Sequence, residues 1–184
     1  MDSLGTWATE KDSRFSEAAV FQDWARAQFG KTLKPDDFEV EKLVRSFELN
    51  FLPILEKNKQ IDFYIFYPPY SALIWANSYK KGTLEPILAF KRGVFELTRR
   101  LPNVKLYDFQ ACEEITFNFD NYKDISHYSP HIDDFIVDSL GSDKFRISEE
   151  SIEEQMRKLR DAAIYFSRKY NQPQGWRSAG VGVL

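Results

Sequence analysis

The run Ile61-Asp62-Phe63-Tyr64-Ile65-Phe66-Tyr67 constrains the fold most. It is rich in aromatic and β-branched residues and is stopped by Pro68-Pro69, so it reads as a buried strand. A helix should open at Thr83, with Pro86 in its first turn, and run to about Leu101 with Ile87, Phe90, Val94, Phe95 and Leu101 inward. Asn103-Val104-Lys105-Leu106-Tyr107-Asp108-Phe109 then reads as a second strand. Strand, helix, strand in this order calls for a crossover between parallel neighbours. The expected class is therefore α/β, a three-layer sandwich around a parallel sheet.

Helical spacing marks four further segments. Ser16 to Phe29 places Ala19, Val20, Trp24 and Ala27 on one side, with Gly30 as a stop. Between Pro35 and Lys57, Phe38, Leu43, Phe47, Phe51, Leu52 and Leu55 recur at helical intervals, and Pro53 should kink the end. After a short apolar alternation at 115–119, Ser129 is a good N-cap and Pro130 a good first helical residue. That helix should bury Ile132, Phe135, Ile136 and Leu140 and close at Gly141. A last helix should start at Ser148 or Ser151, where Ser151 and Glu154 form a capping box, and bury Ile152, Met156, Leu159, Ala163, Phe166 and Tyr170.

With 184 residues, 43% of them apolar, the chain is large enough for one domain with a real core. The expected division is a flexible segment at 1–14, a single α/β domain at 15–170 and a flexible tail at 171–184. The 25 basic and 28 acidic residues are interleaved, and the net charge is −3, which argues against a nucleic-acid partner. Cys112 is the single cysteine, so an intrachain disulfide and a cysteine-rich zinc site are both excluded. No run approaches the roughly 18 apolar residues that span a bilayer, so no membrane insertion by this chain is expected.

Chemistry concentrates in Asp120-Asn121-Tyr122-Lys123-Asp124-Ile125-Ser126-His127-Tyr128-Ser129-Pro130. Asp124 stands three residues before His127, one of only two histidines. A carboxylate on one ring nitrogen fixes the imidazole tautomer and leaves the other nitrogen to take a proton from a serine. The plain alternative is that Asp124 caps the turn while His127 packs on Tyr128. A rival reading joins His127 and His131 on one metal, but a helix starting at Pro130 leaves His127 outside it. No metal and no cofactor is expected.

The same run resembles the last motif block of the SGNH/GDSL hydrolase superfamily, in its bacterial envelope-associated branch related to polysaccharide O-acetyltransferases and esterases. The strand ending in Tyr67-Pro68-Pro69-Tyr70, the helix, and Pro102-Asn103-Val104 leading a strand fit that pattern, so the resemblance covers about Ile61 to Leu140. It implies a flavodoxin-like α/β/α fold and serine-dependent acyl-ester chemistry on acylated carbohydrate or a similar small ester. His127 would be the general base and Asp124 its orienting partner. It also suggests a periplasmic or cell-envelope location.

The departures are specific. The superfamily carries its serine just after a first apolar strand. Here Asp2-Ser3-Leu4 echoes the Gly-Asp-Ser-Leu letters without that strand. Tyr67-Pro68-Pro69-Tyr70 stands where a Gly-x-Asn-Asp element would supply the oxyanion asparagine, and Asn77 is the nearest substitute in sequence. The expectation is a C-terminal portion of a longer protein. Two other readings are an inactive fragment and a non-catalytic module that binds carbohydrate on Tyr67, Tyr70, Trp75, Tyr122 and Tyr128.

Overall fold

A computed structural model describes residues 15–28 and 39–170. They form a mixed α/β fold, mostly helical, around a two-stranded parallel sheet. The elements are α1 (Glu17–Gln28), α2 (Val40–Asn50), α3 (Leu52–Lys57), β1 (Phe63–Tyr67), α4 (Ala72–Lys80) and α5 (Leu84–Thr98), then β2 (Val104–Asp108), α6 (Glu113–Thr116), α7 (Pro130–Ser139) and α8 (Ile152–Lys169). The segments expected to be loose, 1–14 and 171–184, lie outside the described residues, as does the stretch 29–38.

The expected parallel pairing is present, with Phe63 opposite Val104 and Tyr67 opposite Asp108. Phe63 donates its N–H to Asn103 and Phe109 donates to Tyr67, so alternate residues of β1 face β2. Tyr64 and Phe66 therefore direct their backbone groups to the other side, where β1 is the edge of the sheet among the described residues. Their rings are also exposed, at 42% and 39%. Beyond β2 the segment 145–147 runs antiparallel. Asp108 N–H donates to Phe145 O and Ile147 N–H to Leu106 O, each at 2.8 Å.

Alternation along β2 divides the core. Leu106 joins a cluster with Leu84, Leu88 and Phe95 of α5 and Met156 and Leu159 of α8. Tyr107 and Phe109 join another with Ile132 and Ile136 of α7, Val20 and Trp24 of α1 and Leu73 of α4. Side chains on successive strand residues point to opposite faces, which is why one five-residue strand serves both clusters.

The helix expected between Pro35 and Lys57 is interrupted near Pro53, as its position predicts: it breaks at Phe51, and Pro53 lies in the first turn of α3, where its missing N–H has no intrahelical partner to lose. The apolar alternation at 115–119, left unassigned from sequence, is helical. It forms α6 and a 3-10 turn at Phe119–Asn121, with Asn118 Oδ1 accepting from Asp120 N–H. Helix α4, unread in the sequence, starts shortly after the Pro68-Pro69 segment that follows β1 and stops before Gly82, whose φ of 70° suits glycine. The Ser151–Glu154 capping box is absent: Ser151 Oγ accepts from Ser148 N–H, and Glu154 pairs with Arg157 instead.

Candidate functional site: an Asp124–His127 dyad

The loop from Tyr122 to Tyr128 closes on itself. Tyr122 and Tyr128 form an antiparallel bridge, and Lys123 N–H donates to His127 O at 3.1 Å. Inside it, Asp124 Oδ1 accepts from Ser126 N–H at 2.8 Å, His127 N–H at 2.8 Å and Ser126 Oγ at 3.0 Å. This is the turn that a short carboxylate side chain makes with its own backbone. The second oxygen, Oδ2, lies 2.6 Å from His127 Nδ1. Asp124 thus caps the turn and grips the imidazole at once.

Partial burial opposes ionisation of Asp124, but the hydrogen bonds from Ser126 and His127 outweigh it and hold the carboxyl below its ordinary range. An ionised carboxylate only accepts, so the proton between Oδ2 and Nδ1 belongs to His127. The neutral imidazole therefore keeps its proton on Nδ1, and Nε2 is left as the basic nitrogen. The His127 side chain is exposed to solvent.

Ser126 Oγ approaches the ring at 3.3 Å, but at Nδ1, the nitrogen already bound by Asp124. Its own proton goes to Asp124 Oδ1. Ser126 is therefore part of the turn and not a nucleophile for Nε2. Ser3 lies outside the described residues. Asn77 is buried in α4 and makes no hydrogen bond to either dyad residue among the described contacts.

The loop is seated at the C-terminal end of β1. Tyr122 Oη donates to Pro69 O at 2.6 Å, and Ser71, the residue before α4, donates its Oγ to Ile125 O at 2.8 Å. The two prolines thus end the strand and also support the turn. Loops at the carboxyl ends of parallel strands are the usual place for functional groups in open α/β sheets.

His131 does not join His127. It lies in α7 with Nδ1 2.7 Å from Ser129 Oγ, so Ser129 holds the N-cap position in the chain while its hydroxyl serves the imidazole. Among the described residues no group of three His, Cys, Asp or Glu is placed to hold a metal ion. The aromatic surface expected for carbohydrate loses two of its five members, because Trp75 and Tyr122 are core residues at 4% and 0% exposure. Burial pushes the Cys112 thiol up, which makes it a poor nucleophile.

No family model, curated protein or solved structure matches this chain.

Sequence reasoning found Asp124 and His127. It missed Ser126, Ser71 and Asp23, the last of which accepts from Ile125 N–H at 3.2 Å. Ser126 had a local signal, as a hydroxyl inside an Asp-x-x-His turn. Asp23 had none, since its partner is 102 positions away.

Proposed function

We propose that this chain carries the base and its orienting carboxylate for a serine-dependent acyl-ester hydrolase or O-acyltransferase, acting on acylated carbohydrate or a similar small ester. The observation that carries the reading is the 2.6 Å contact between Asp124 Oδ2 and His127 Nδ1, on an imidazole whose side chain is exposed. We further infer a flavodoxin-like three-layer sandwich, of which β1 and β2 are neighbouring strands. Support for it comes from the packing of helices against alternate residues of β2 and from the open edge of β1, where a sheet of this kind continues.

In this mechanism His127 Nε2 removes the proton of a serine hydroxyl as its oxygen attacks the ester carbonyl carbon. The carbonyl π electrons move to oxygen, and the resulting oxyanion needs N–H donors. Asp124 stabilises the imidazolium that forms. Collapse of the tetrahedral species breaks the ester C–O bond, and the proton on Nε2 passes to the departing alkoxide. Water then takes the acyl group from serine for hydrolysis, or a sugar hydroxyl takes it for transfer; Nε2 accepts the proton from either and returns it to the departing serine oxygen.

A fluorophosphonate probe tests this directly. It should label one serine of the full chain, and labelling should fall at least a hundredfold in His127→Ala, in line with the roughly 10²–10⁴-fold worth of a general base. Wild-type protein that takes no label would sink the proposal, as would a His127→Ala variant that labels at the native rate.

A further inference from the structure

Ile125 lies between Asp124 and Ser126, and both its N–H and its carbonyl are held by residues distant in sequence. Its N–H donates to Asp23 Oδ2 of α1 at 3.2 Å. Its carbonyl accepts from Ser71 twice, from N–H at 3.2 Å and from Oγ at 2.8 Å. Two more hydrogen bonds join the start of α1 to the same loop. Ser16 N–H donates to Tyr122 O at 3.0 Å, and Glu17 N–H donates to Asp120 Oδ1 at 2.9 Å. Behind these contacts α1 is anchored by Val20 and Trp24, both in the core with Leu73, Phe119 and Tyr122.

This geometry has a chemical consequence. The Asp124 carboxylate must present Oδ2 to Nδ1 while Oδ1 accepts from Ser126 and His127, so its direction is set by the peptide planes on either side of residue 125. A turn closed only by its own local hydrogen bonds interconverts with open forms, and in those forms the imidazole is released. Anchors from α1 on one side and from the end of β1 on the other remove that freedom.

We propose that Asp23 and Ser71 are positioning residues of the dyad, clamping the Ile125 peptide from opposite sides so that Asp124 selects the Nδ1–H tautomer of His127. The functional meaning of the clamp rests on the proposed use of Nε2 as a base, but the clamp itself is read from the imidazole and not from turnover. A role confined to fold stability would move the melting temperature and leave the tautomer unchanged.

Long-range ¹H–¹⁵N NMR of the full chain distinguishes the two ring nitrogens at a pH where His127 is neutral, and His131→Gln assigns its signals. The native protein should show a protonated Nδ1 and an unprotonated Nε2. Asp23→Ala should shift the population toward Nε2–H, the form favoured by an unrestrained histidine, and Asp23→Asn should restore the native pattern because its amide oxygen still accepts. Ser71→Ala should shift it in the same direction, and it decides the matter alone if far-UV circular dichroism shows that Asp23→Ala does not fold. A native tautomer pattern in either folded alanine variant overturns the clamp, as does failure of Asp23→Asn to rescue. If no serine takes the fluorophosphonate but these shifts occur, the hydrolase reading falls and the clamp stands.

Discussion

Lys91 Nζ stands 2.6 Å from Asp108 Oδ2, and both side chains are shut off from water. The pair ties α5 to the last residue of β2. Lys91 also lies over the ring of Tyr67, 4.8 Å from its centroid, and Tyr67 is the register partner of Asp108. Burial, reinforced by the Asp108 charge, pushes the Tyr67 phenol far above its ordinary range and keeps it neutral. The carboxyl end of the sheet, where the dyad loop is seated, is thus organised around one buried ion pair.

Removing one partner leaves the other charge stranded. Lys91→Met should cost about 3–5 kcal/mol, while Lys91→Met with Asp108→Leu should recover most of that loss. Urea denaturation of both single variants and the double variant measures the coupling. Additive single effects would show that the pair is not the link described.

Helices α2 and α5 approach closely at Gly93, where an added Cβ would fall 2.6 Å from Val44 Cγ2. Gly93→Ala should therefore destabilise by about 1–3 kcal/mol through overpacking, more than the ~1 kcal/mol that alanine gains over glycine inside a helix. Val44→Ala in the same chain should relieve the clash. Thermal melts of the single and double variants read this out.

Asp124 has a depressed pKa in the folded protein, so the unfolded chain binds more protons at low pH. Its stabilising contribution is complete above the ordinary carboxyl value of 3.8 and is lost as pH falls through the folded value below it. The stability difference between native protein and Asp124→Asn should therefore be largest near neutrality and shrink below about pH 4. A difference that stays constant down to pH 2 would contradict the hydrogen bonding at this carboxylate.

Tyr122 is fully buried, and its hydroxyl satisfies the Pro69 carbonyl. Tyr122→Phe should cost about 1–3 kcal/mol, the penalty for leaving a buried acceptor unpaired. Equilibrium unfolding checks the value. A neutral substitution would mean that the loop is not seated through this bond.

The strands were legible because FYIFY and VKLYD concentrate aromatic and β-branched residues between breakers, and the helix between them kept its 3.6-residue rhythm. The dyad was legible because its partners are three residues apart and its chemistry is local. Helix α4 was not, since a mostly buried segment such as ALIWANSYK has no polar face to set a rhythm. At 115–119 the apolar alternation is helical, and the burial of Ile115, Thr116 and Phe119 follows a helical turn. Asp23 and Ser71 act through contacts that only tertiary folding creates, so no local pattern could reveal them.

Among the described residues the outer flank of β1 is bare, and this bears on how the protein behaves in solution. Its five residues carry no charge, no proline and no bulge, which are the usual guards of a sheet edge. Tyr64 and Phe66 add aromatic surface beside backbone groups that have no strand partner among the described residues. Such a segment is a template for cross-β growth, so unless a further strand covers it, concentration and mild heating will favour association there. A lysine in place of Phe66 would act as a gatekeeper on that flank while leaving the dyad and its clamp untouched.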